Sequence, residues 1–416
     1  MNSKHSDVLI LGGGVIGLSC ALQLLRAGRG VRLLEQNTMA SGSSHGNCGT
    51  ITPSHLPLNA PGTLSKALKW LLQVDAPLRI KPSFDPALLS WLLHFAARCT
   101  PQQFRSGAAT KLSLLQASRS LLAALIRDEQ LACEFVESGT MYVWRDAQSY
   151  AEAAAEYRML CELGIAVERL DGDAARALEP ALNASIVGAH KHPDDARLRP
   201  NRYAAELLRR VRELGGTICE QTAITGFSCD GGRIASVATT NGTYSGTDVV
   251  FALGAWSPQL GSQLGLKLPI QPGKGYSITY SRPGRAPTIP LVLKERSVCV
   301  TSWASGYRLG STMEFAGYDH SLNRTRLDAL ARGAAEYLHE PVGPIVEEEW
   351  YGWRPMTYDD LPILGRAPNH ANLVLATGHG MLGVSLSAVT GRLVAELITG
   401  QKPSLDLAPY SPARFR

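Results

Sequence analysis

Six residues near the start, Gly12-Gly13-Gly14-Val15-Ile16-Gly17, have the types and spacing that place a peptide backbone against a pyrophosphate. They follow an apolar run, Asp7–Leu11, and open a stretch of helical spacing, Ile16–Ala27. A second apolar run, Val31–Glu35, ends in an acid followed by Gln36. Gly12 permits the tight turn, and Gly14 lets the backbone, with Val15 and Ile16, approach a phosphate at the positive helix end. Gly17 allows close helix–strand packing, and Glu35 can accept hydrogen bonds from a ribose hydroxyl. Strand, glycine turn, helix, strand and terminal acid together read as a dinucleotide site.

Both common dinucleotides use this unit, and the run Ser41-Gly42-Ser43-Ser44-His45-Gly46-Asn47-Cys48-Gly49 decides between them. Ser43, Ser44, Asn47 and Gly49 offer hydroxyls, an amide and backbone N–H groups to a phosphate, and let the chain run close beneath a flat ring. This favours FAD over NAD. Further along, Gly378-His379-Gly380 follows an apolar run and precedes a helical one, so its amides can face the ring's pyrimidine oxygen. Gly275-Tyr276 brings either a phenol near a substrate or a strand aromatic with its hydroxyl in solvent.

Composition excludes other classes. The 416 residues are 45% hydrophobic and 19% charged, enough to bury a large core in two domains. A net charge of +5 is spread along the chain with no basic run, so no nucleic-acid surface is expected. Eight scattered cysteines lack any C-x-x-C pair and read as reduced thiols of a cytoplasmic protein. His190, His192, Asp194 and Asp195 alternate along one run, but no third well-spaced ligand accompanies them and no metal is expected. Val8–Leu25 is uncharged, yet its glycines argue against a signal peptide or membrane span, and no other stretch is long enough to cross a membrane.

The elements that must position these residues are arranged in pieces. Leu64–Ile126 has helical spacing interrupted by prolines. Thr140–Trp144 and Ile186–His192 are predicted strands flanking a helix over Ser149–Leu163, and Asn201–Leu214 is an amphipathic helix ended by Gly215 and Gly216. A hairpin turns near Asp230–Gly232, and Val249–Leu253 is a buried strand. Pro269–Tyr280 and Val298–Thr312 have strand character, Leu322–Leu338 is helical, and Leu373–Ala376 with Ser385–Ile398 repeats the strand-to-helix pattern.

A family resemblance rests on further blocks: Lys69-Trp70-Leu71-Leu72 with Ala76-Pro77-Leu78, Phe251-Ala252-Leu253-Gly254-Ala255-Trp256-Ser257, and Pro272-Gly273-Lys274-Gly275-Tyr276-Ser277. The C-terminal block adds Trp350-Tyr351-Gly352-Trp353-Arg354-Pro355-Met356-Thr357, Asp360–Gly365, and Thr377-Gly378-His379-Gly380-Met381-Leu382-Gly383. The chain resembles the D-amino acid oxidase superfamily over nearly its whole length, and most closely the bacterial D-amino acid dehydrogenases, including members that act on D-hydroxyproline. The resemblance implies an α/β fold: a discontinuous Rossmann-type FAD-binding domain (1–80, 198–270 and 345–416), with an α+β substrate domain (81–197 and 271–344) built on a mainly antiparallel sheet, as in glycine oxidases.

It further implies non-covalent FAD, with Gly254, Gly378, His379, Gly380 and Met381 beside it and His45 offset from the histidine that tethers flavin in some relatives. Arg354 takes the position that pairs a substrate carboxylate, a role suited to the planar two-donor guanidinium. Gly310-Ser311-Thr312-Met313-Glu314 resembles the glycine oxidase strand that sets an apolar residue over the substrate, which makes Met313 a candidate pocket wall, the alternative being an ordinary core methionine. The implied reaction is hydride transfer from Cα of a D-amino acid to flavin N5. Alternatives are a D-proline or cis-4-hydroxy-D-proline dehydrogenase, alone or as one subunit of a complex, or a glycine/sarcosine oxidase-like enzyme. Met381 and Leu382 stand where glycine oxidases carry arginine, which fits a larger uncharged side chain. The implied electron acceptor is a quinone or another carrier rather than NAD, and a cytoplasmic location with peripheral contact at the inner face of the membrane is compatible with it.

Overall fold

The computed structural model describes residues 4–71, 76–82 and 84–415; Leu72 of the Lys69–Leu72 run lies outside the described residues. Its organising strand is Lys4–Leu11, which becomes fully buried from Val8 onward. Val31–Leu34 pairs with it in parallel on one side and Gly242–Phe251 on the other. Thr217–Cys219 and Leu373–Thr377 extend the parallel sheet outward. Unbroken apolar runs such as Val8–Leu11 and Leu373–Ala376 are what strands covered on both faces require. The sheet continues into an antiparallel meander of Ile224–Asp230 and Arg233–Thr239. Its turn places Gly231 and Gly232 at φ +52° and +73°, the left-handed pair of a tight hairpin.

One face of this sheet carries helices Val15–Arg26, Pro200–Glu213 and Gly383–Ile398. The last is buried almost all round, so it needs partners on every side. Val15–Arg26 covers one side and Pro101–Asp128 the other, through Leu114, Leu115, Leu122 and Leu125. The helices approach most closely at Gly391, where any Cβ would lie 2.6 Å from the Ser19 carbonyl oxygen.

The second sheet runs in the order Val346–Thr357, Ile270–Tyr280, Gly306–Phe315, Val298–Trp303, Leu291–Leu293, Thr140–Trp144, Gly188–His192, Glu168–Asp171. It is antiparallel except where Leu291–Leu293 meets Thr140–Trp144 and where Leu78–Ile80 joins Gly306–Phe315. Helix Arg324–Ala335 seals one face through Leu327 and Leu330 against Ile278 and Leu309. The other face turns toward the first sheet.

The structure amends several sequence boundaries. The helical stretch Leu64–Ile126 resolves into helices Thr63–Leu71, Pro86–Ala97 and Pro101–Asp128, with the strand Leu78–Ile80 among them. Ser149–Leu163 is two helices, Ala147–Glu152 and Ala154–Glu162, broken at Ala153. Val298–Thr312 is a hairpin rather than one strand. The expected division of the chain also shifts. Leu78–Ile80 and Val346–Thr357, expected with the nucleotide segments, are strands of the second sheet. Helix Pro101–Asp128, expected with the substrate segments, packs into the first core because the buried C-terminal helix needs its apolar face.

Gly391→Leu is expected to destabilise the protein by about 1–3 kcal/mol through overpacking against Ser19. The check is a lowered urea midpoint with an unchanged slope.

Candidate functional site

Between the two sheets lies a cavity of about 1400 Å³. Small-molecule sites usually span about 300–1000 Å³, so it has room for a dinucleotide together with a second molecule. Gly12, at φ +104°, carries the chain out of the first strand and under Ala252, whose carbonyl any Cβ at Gly12 would strike. A Cβ at Gly17 would strike the Gly12 carbonyl in turn, so helix and turn approach as closely as glycine allows. Gly14 instead faces the cavity, with nothing nearer its Cβ position than Ser44 Oγ at 3.5 Å. Val15 and Ile16 line the cavity beside it, at the helix end where backbone N–H groups lack intrahelical partners. Ser44 Oγ accepts one of them, from Val15, at 3.1 Å.

Glu35 and Gln36 border the far end of the cavity. The Glu35 carboxylate accepts from Gly13 N–H at 2.8 Å and from Asn37 N–H at 3.0 Å, so the acid that closes the second strand also shapes the glycine turn. The loop Ser43–Gly49 is clamped from behind. Arg308, 1% exposed, donates to the carbonyls of His45 and Asn47 at 2.9 and 2.8 Å and to Thr279 Oγ1 at 2.9 Å. Ser43 donates to the Trp353 carbonyl, and Asn47 donates to the Met381 carbonyl at 3.3 Å while accepting from Gly49 N–H at 2.7 Å. His45 Nε2 lies 2.7 Å from Glu348. Gly49, Gly17 and Gly378 shape the cavity wall from behind: a Cβ at Gly49 would strike the Leu198 carbonyl, and one at Gly378 would press on Thr357.

Arg354 projects from Val346–Thr357 into the cavity, deep in the protein. Gly273 is its register partner, and Gly275, the next same-face position, is what lets it lie flat: a Cβ there would collide with the guanidinium carbon and both terminal nitrogens. Arg354 Nη1 donates to the Thr312 carbonyl at 2.7 Å, and Nη2 lies 3.4 Å from the Ser311 carbonyl. Those carbonyls turn inward because Ser311 and Thr312 hold positive φ, +148° and +57°, a strained backbone of the kind found where function over-determines geometry. Burial lowers the Arg354 pKa, but an arginine stays protonated. Among the described residues no carboxylate pairs with it. Met313 completes this wall, its sulfur 3.9 Å from Arg354 Nη1.

Two sequence candidates sit differently. Tyr276 borders the cavity, but its ring packs with Ile278 and Leu309 and its hydroxyl donates to buried Glu314 at 2.6 Å, so it is not a solvent phenol. Alternation along the strand sets this: Tyr276 shares a face with Ile278 and Tyr280, the face packed by Leu327 and Leu330. His379 borders the cavity, but its imidazole is buried against Thr390 Oγ1 at 3.0 Å, and burial pushes its pKa down to about 3, which keeps it neutral. The Gly380 N–H goes to the Pro355 carbonyl at 3.1 Å and is not left facing the cavity. Gly254, at φ +54°, lines the opposite wall, and Met381 adjoins Gly380 there.

Sequence reasoning passed over Arg308, Glu314 and the thiols of Cys48 and Cys299. Both cysteines line the cavity. A hydrogen bond from Cys299, with the nearby guanidiniums of Arg308 and Arg354, lowers the Cys48 pKa, while that same bond and burial raise Cys299. The alternate glycines Gly273, Gly275 and Gly310 were the legible signal that large groups lie against this sheet.

The profile of the family described as FAD dependent oxidoreductase matches residues 7–397. The D-amino acid dehydrogenase of Agrobacterium fabrum is 34% identical over 416 residues, covering 98% of this chain and 99% of its own length. That of Phenylobacterium zucineum is 34% identical over 411 residues, covering 97% and 96%. Among solved structures, glycine oxidase from Geobacillus kaustophilus superposes with a TM-score of 0.79 at 25% identity, covering 99% of both chains. L-proline dehydrogenase from P. horikoshii shares the fold, with a TM-score of 0.76 at 19% identity over 100% and 98%.

Gly275→Ala is expected to push the Arg354 guanidinium off the sheet and to weaken binding of a simple carboxylate such as benzoate by about tenfold, the scale of one lost charge-assisted hydrogen bond. Titration calorimetry on the two proteins reads this directly.

Proposed function

The chain belongs to the FAD dependent oxidoreductase family, and we propose that it is a dehydrogenase that oxidises a D-amino acid at its Cα–N bond to the imine, which water hydrolyses to the keto acid. The observation that carries this reading is Arg354, a half-buried guanidinium in the cavity with two backbone carbonyls and, among the described residues, no carboxylate beside it. A buried cation without a counter-charge is costly, and a substrate carboxylate supplies one. Its planar fork fixes a carboxylate in one orientation, which a lysine would not do.

The residues present fit FAD. Gly14 offers an open backbone edge at a helix N-terminus, Glu35 and Gln36 border the ribose end, and the Ser43–Gly49 loop runs along the cavity as a clamped backbone. Engagement of His45 with Glu348 supports non-covalent binding. Bound FAD supplies the acceptor for two electrons and a proton. The chain's own contribution is positioning: Arg354 orients the carboxylate, and Met313 walls the substrate and helps exclude water. Neutral, buried His379 and the committed Tyr276 hydroxyl leave neither as a proton acceptor, in keeping with a step governed by orientation of the Cα–H bond.

For the electron acceptor we favour a quinone at a membrane surface. Among the described residues no helix is long and apolar enough to cross a membrane. The support is a patch at the cavity rim. Helix Thr63–Leu71 has no buried residue; it exposes Leu64, Leu68 and Leu71 on one side and carries Lys66 and Lys69. Leu89 and Leu93, 60% and 63% exposed, extend the patch from helix Pro86–Ala97. An apolar stripe flanked by lysines suits an in-plane helix at an anionic bilayer.

Arg354→Ala is expected to raise KM for D-amino acids by about 100-fold, the cost of truncating one partner of a buried charge pair, with the yellow flavin still bound. Steady-state kinetics with a dye acceptor decide this, and an unchanged KM rules the role out. Leu68→Glu combined with Leu93→Glu is expected to abolish co-flotation with anionic vesicles without loss of dye-linked activity; equal flotation of both proteins ends the membrane reading.

A further inference from the structure

The cavity divides beyond Arg354. At the far end of Gly306–Phe315, where Leu78–Ile80 replaces Val298–Trp303 as its neighbour, the walls are apolar: Leu78, Ile80, Trp91, Phe95 and Phe315. Across the sheet in the other direction they are polar. Cys299 pairs with Val292, and Val292 with Tyr142, so two strand spacings, about 10 Å, lead from the thiols beside Arg354 to the Tyr142 ring. There Lys294 and Glu156 form an ion pair at 3.6 Å, and the His192 ring lies 4.8 Å from that of Tyr142.

Three properties distinguish this arm from ordinary core. Lys294 and Glu156 line the cavity, so both face its interior. His192 is 5% exposed and its Nδ1 has no hydrogen-bond partner, an expensive vacancy in a buried imidazole that burial keeps neutral. Lys294 and Glu156 match each other's charge, so the pair offers donors and acceptors without an unpaired charge.

We propose that this arm holds the far end of the substrate side chain, and that this end is a neutral carboxamide or ureido group. Such a group presents a carbonyl oxygen to Lys294 and the Tyr142 hydroxyl, and N–H groups to Glu156. A charged end group would have to compete with the existing ion pair, and an aliphatic one would leave the buried polar atoms without partners. The inference rests on the amino acid reading above, since Arg354 fixes the near end.

The test uses the FAD-loaded full chain with a dye acceptor and four probes: D-citrulline, D-glutamine, D-norleucine and D-alanine. D-citrulline is expected to exceed D-norleucine in kcat/KM by about tenfold or more, as for a site built around hydrogen bonds. Tyr142→Phe, which removes only a hydroxyl, and Lys294→Met should each lower that ratio several-fold, through KM for D-citrulline. Because Lys294→Met also leaves Glu156 unpaired, retained flavin absorbance checks its fold, and Tyr142→Phe carries the test if that variant fails. D-alanine turnover with a D-citrulline to D-norleucine ratio near one, or a ratio that Tyr142→Phe does not move, overturns this inference alone. No turnover of any of the four overturns the amino acid reading and this inference with it.

Discussion

The structure depends on keeping one guanidinium charged inside a cavity with no acid beside it among the described residues. Taking an unpaired ion out of water is costly, and proteins rarely tolerate it without compensation. Here the compensation comes from the backbone: the Ser311 and Thr312 carbonyls are turned toward Arg354 by positive φ values, and Gly275 strips the opposing strand of a side chain so that the fork can lie flat. Stored strain, a missing side chain and a missing counter-ion are three local departures from what a stable sheet prefers. On the function proposed above, they together prepare the site for an incoming carboxylate.

A similar logic governs the loop that the cavity shares with the first sheet. Residues 43–49 are small and polar and would wander if left to themselves. Arg308 grips two of their carbonyls from the second sheet, and a Cβ at Gly46 or Gly352 would run into the Trp350 ring that fills the space beside them. The cradle is rigid because the two sheets hold it jointly. The buried pair Lys111–Asp360, at 2.5 Å, adds a second tie between helix Pro101–Asp128 and the turn after Arg354.

The glycine turn at Gly12–Gly17 was legible in the sequence and the surroundings of Arg354 were less so, for a physical reason. Gly12, Gly14 and Gly17 act within one short unit whose geometry follows from local rules. Arg354, by contrast, owes its surroundings to strands about 40 and 80 residues away. Tyr276 shows the limit: alternation says which residues share its face, but not that its hydroxyl is engaged by Glu314 on a strand that pairs with its own from about 40 residues away. The segment boundaries failed likewise at Pro101–Asp128, whose amphipathic pattern says that it packs but not on which core. Arg308 left no local trace, since an isolated arginine in a strand reads as a surface charge until its partners are seen.

The central position of Lys4–Leu11 has a consequence for how the molecule is made. Its neighbours are Val31–Leu34 and Gly242–Phe251, and the latter needs Leu373–Thr377 along its other edge. The cradle at Gly12 therefore rests on a carbonyl of Ala252, and its helix on another helix that begins at Gly383. On the ribosome, Lys4–Leu11 emerges before Gly242–Phe251 and Leu373–Thr377 and waits for both before its apolar strand is covered. Folding dominated by such distant pairings is slow and exposes sticky intermediates, so the glycine turn at Gly12, made before its partners, is among the last parts to close.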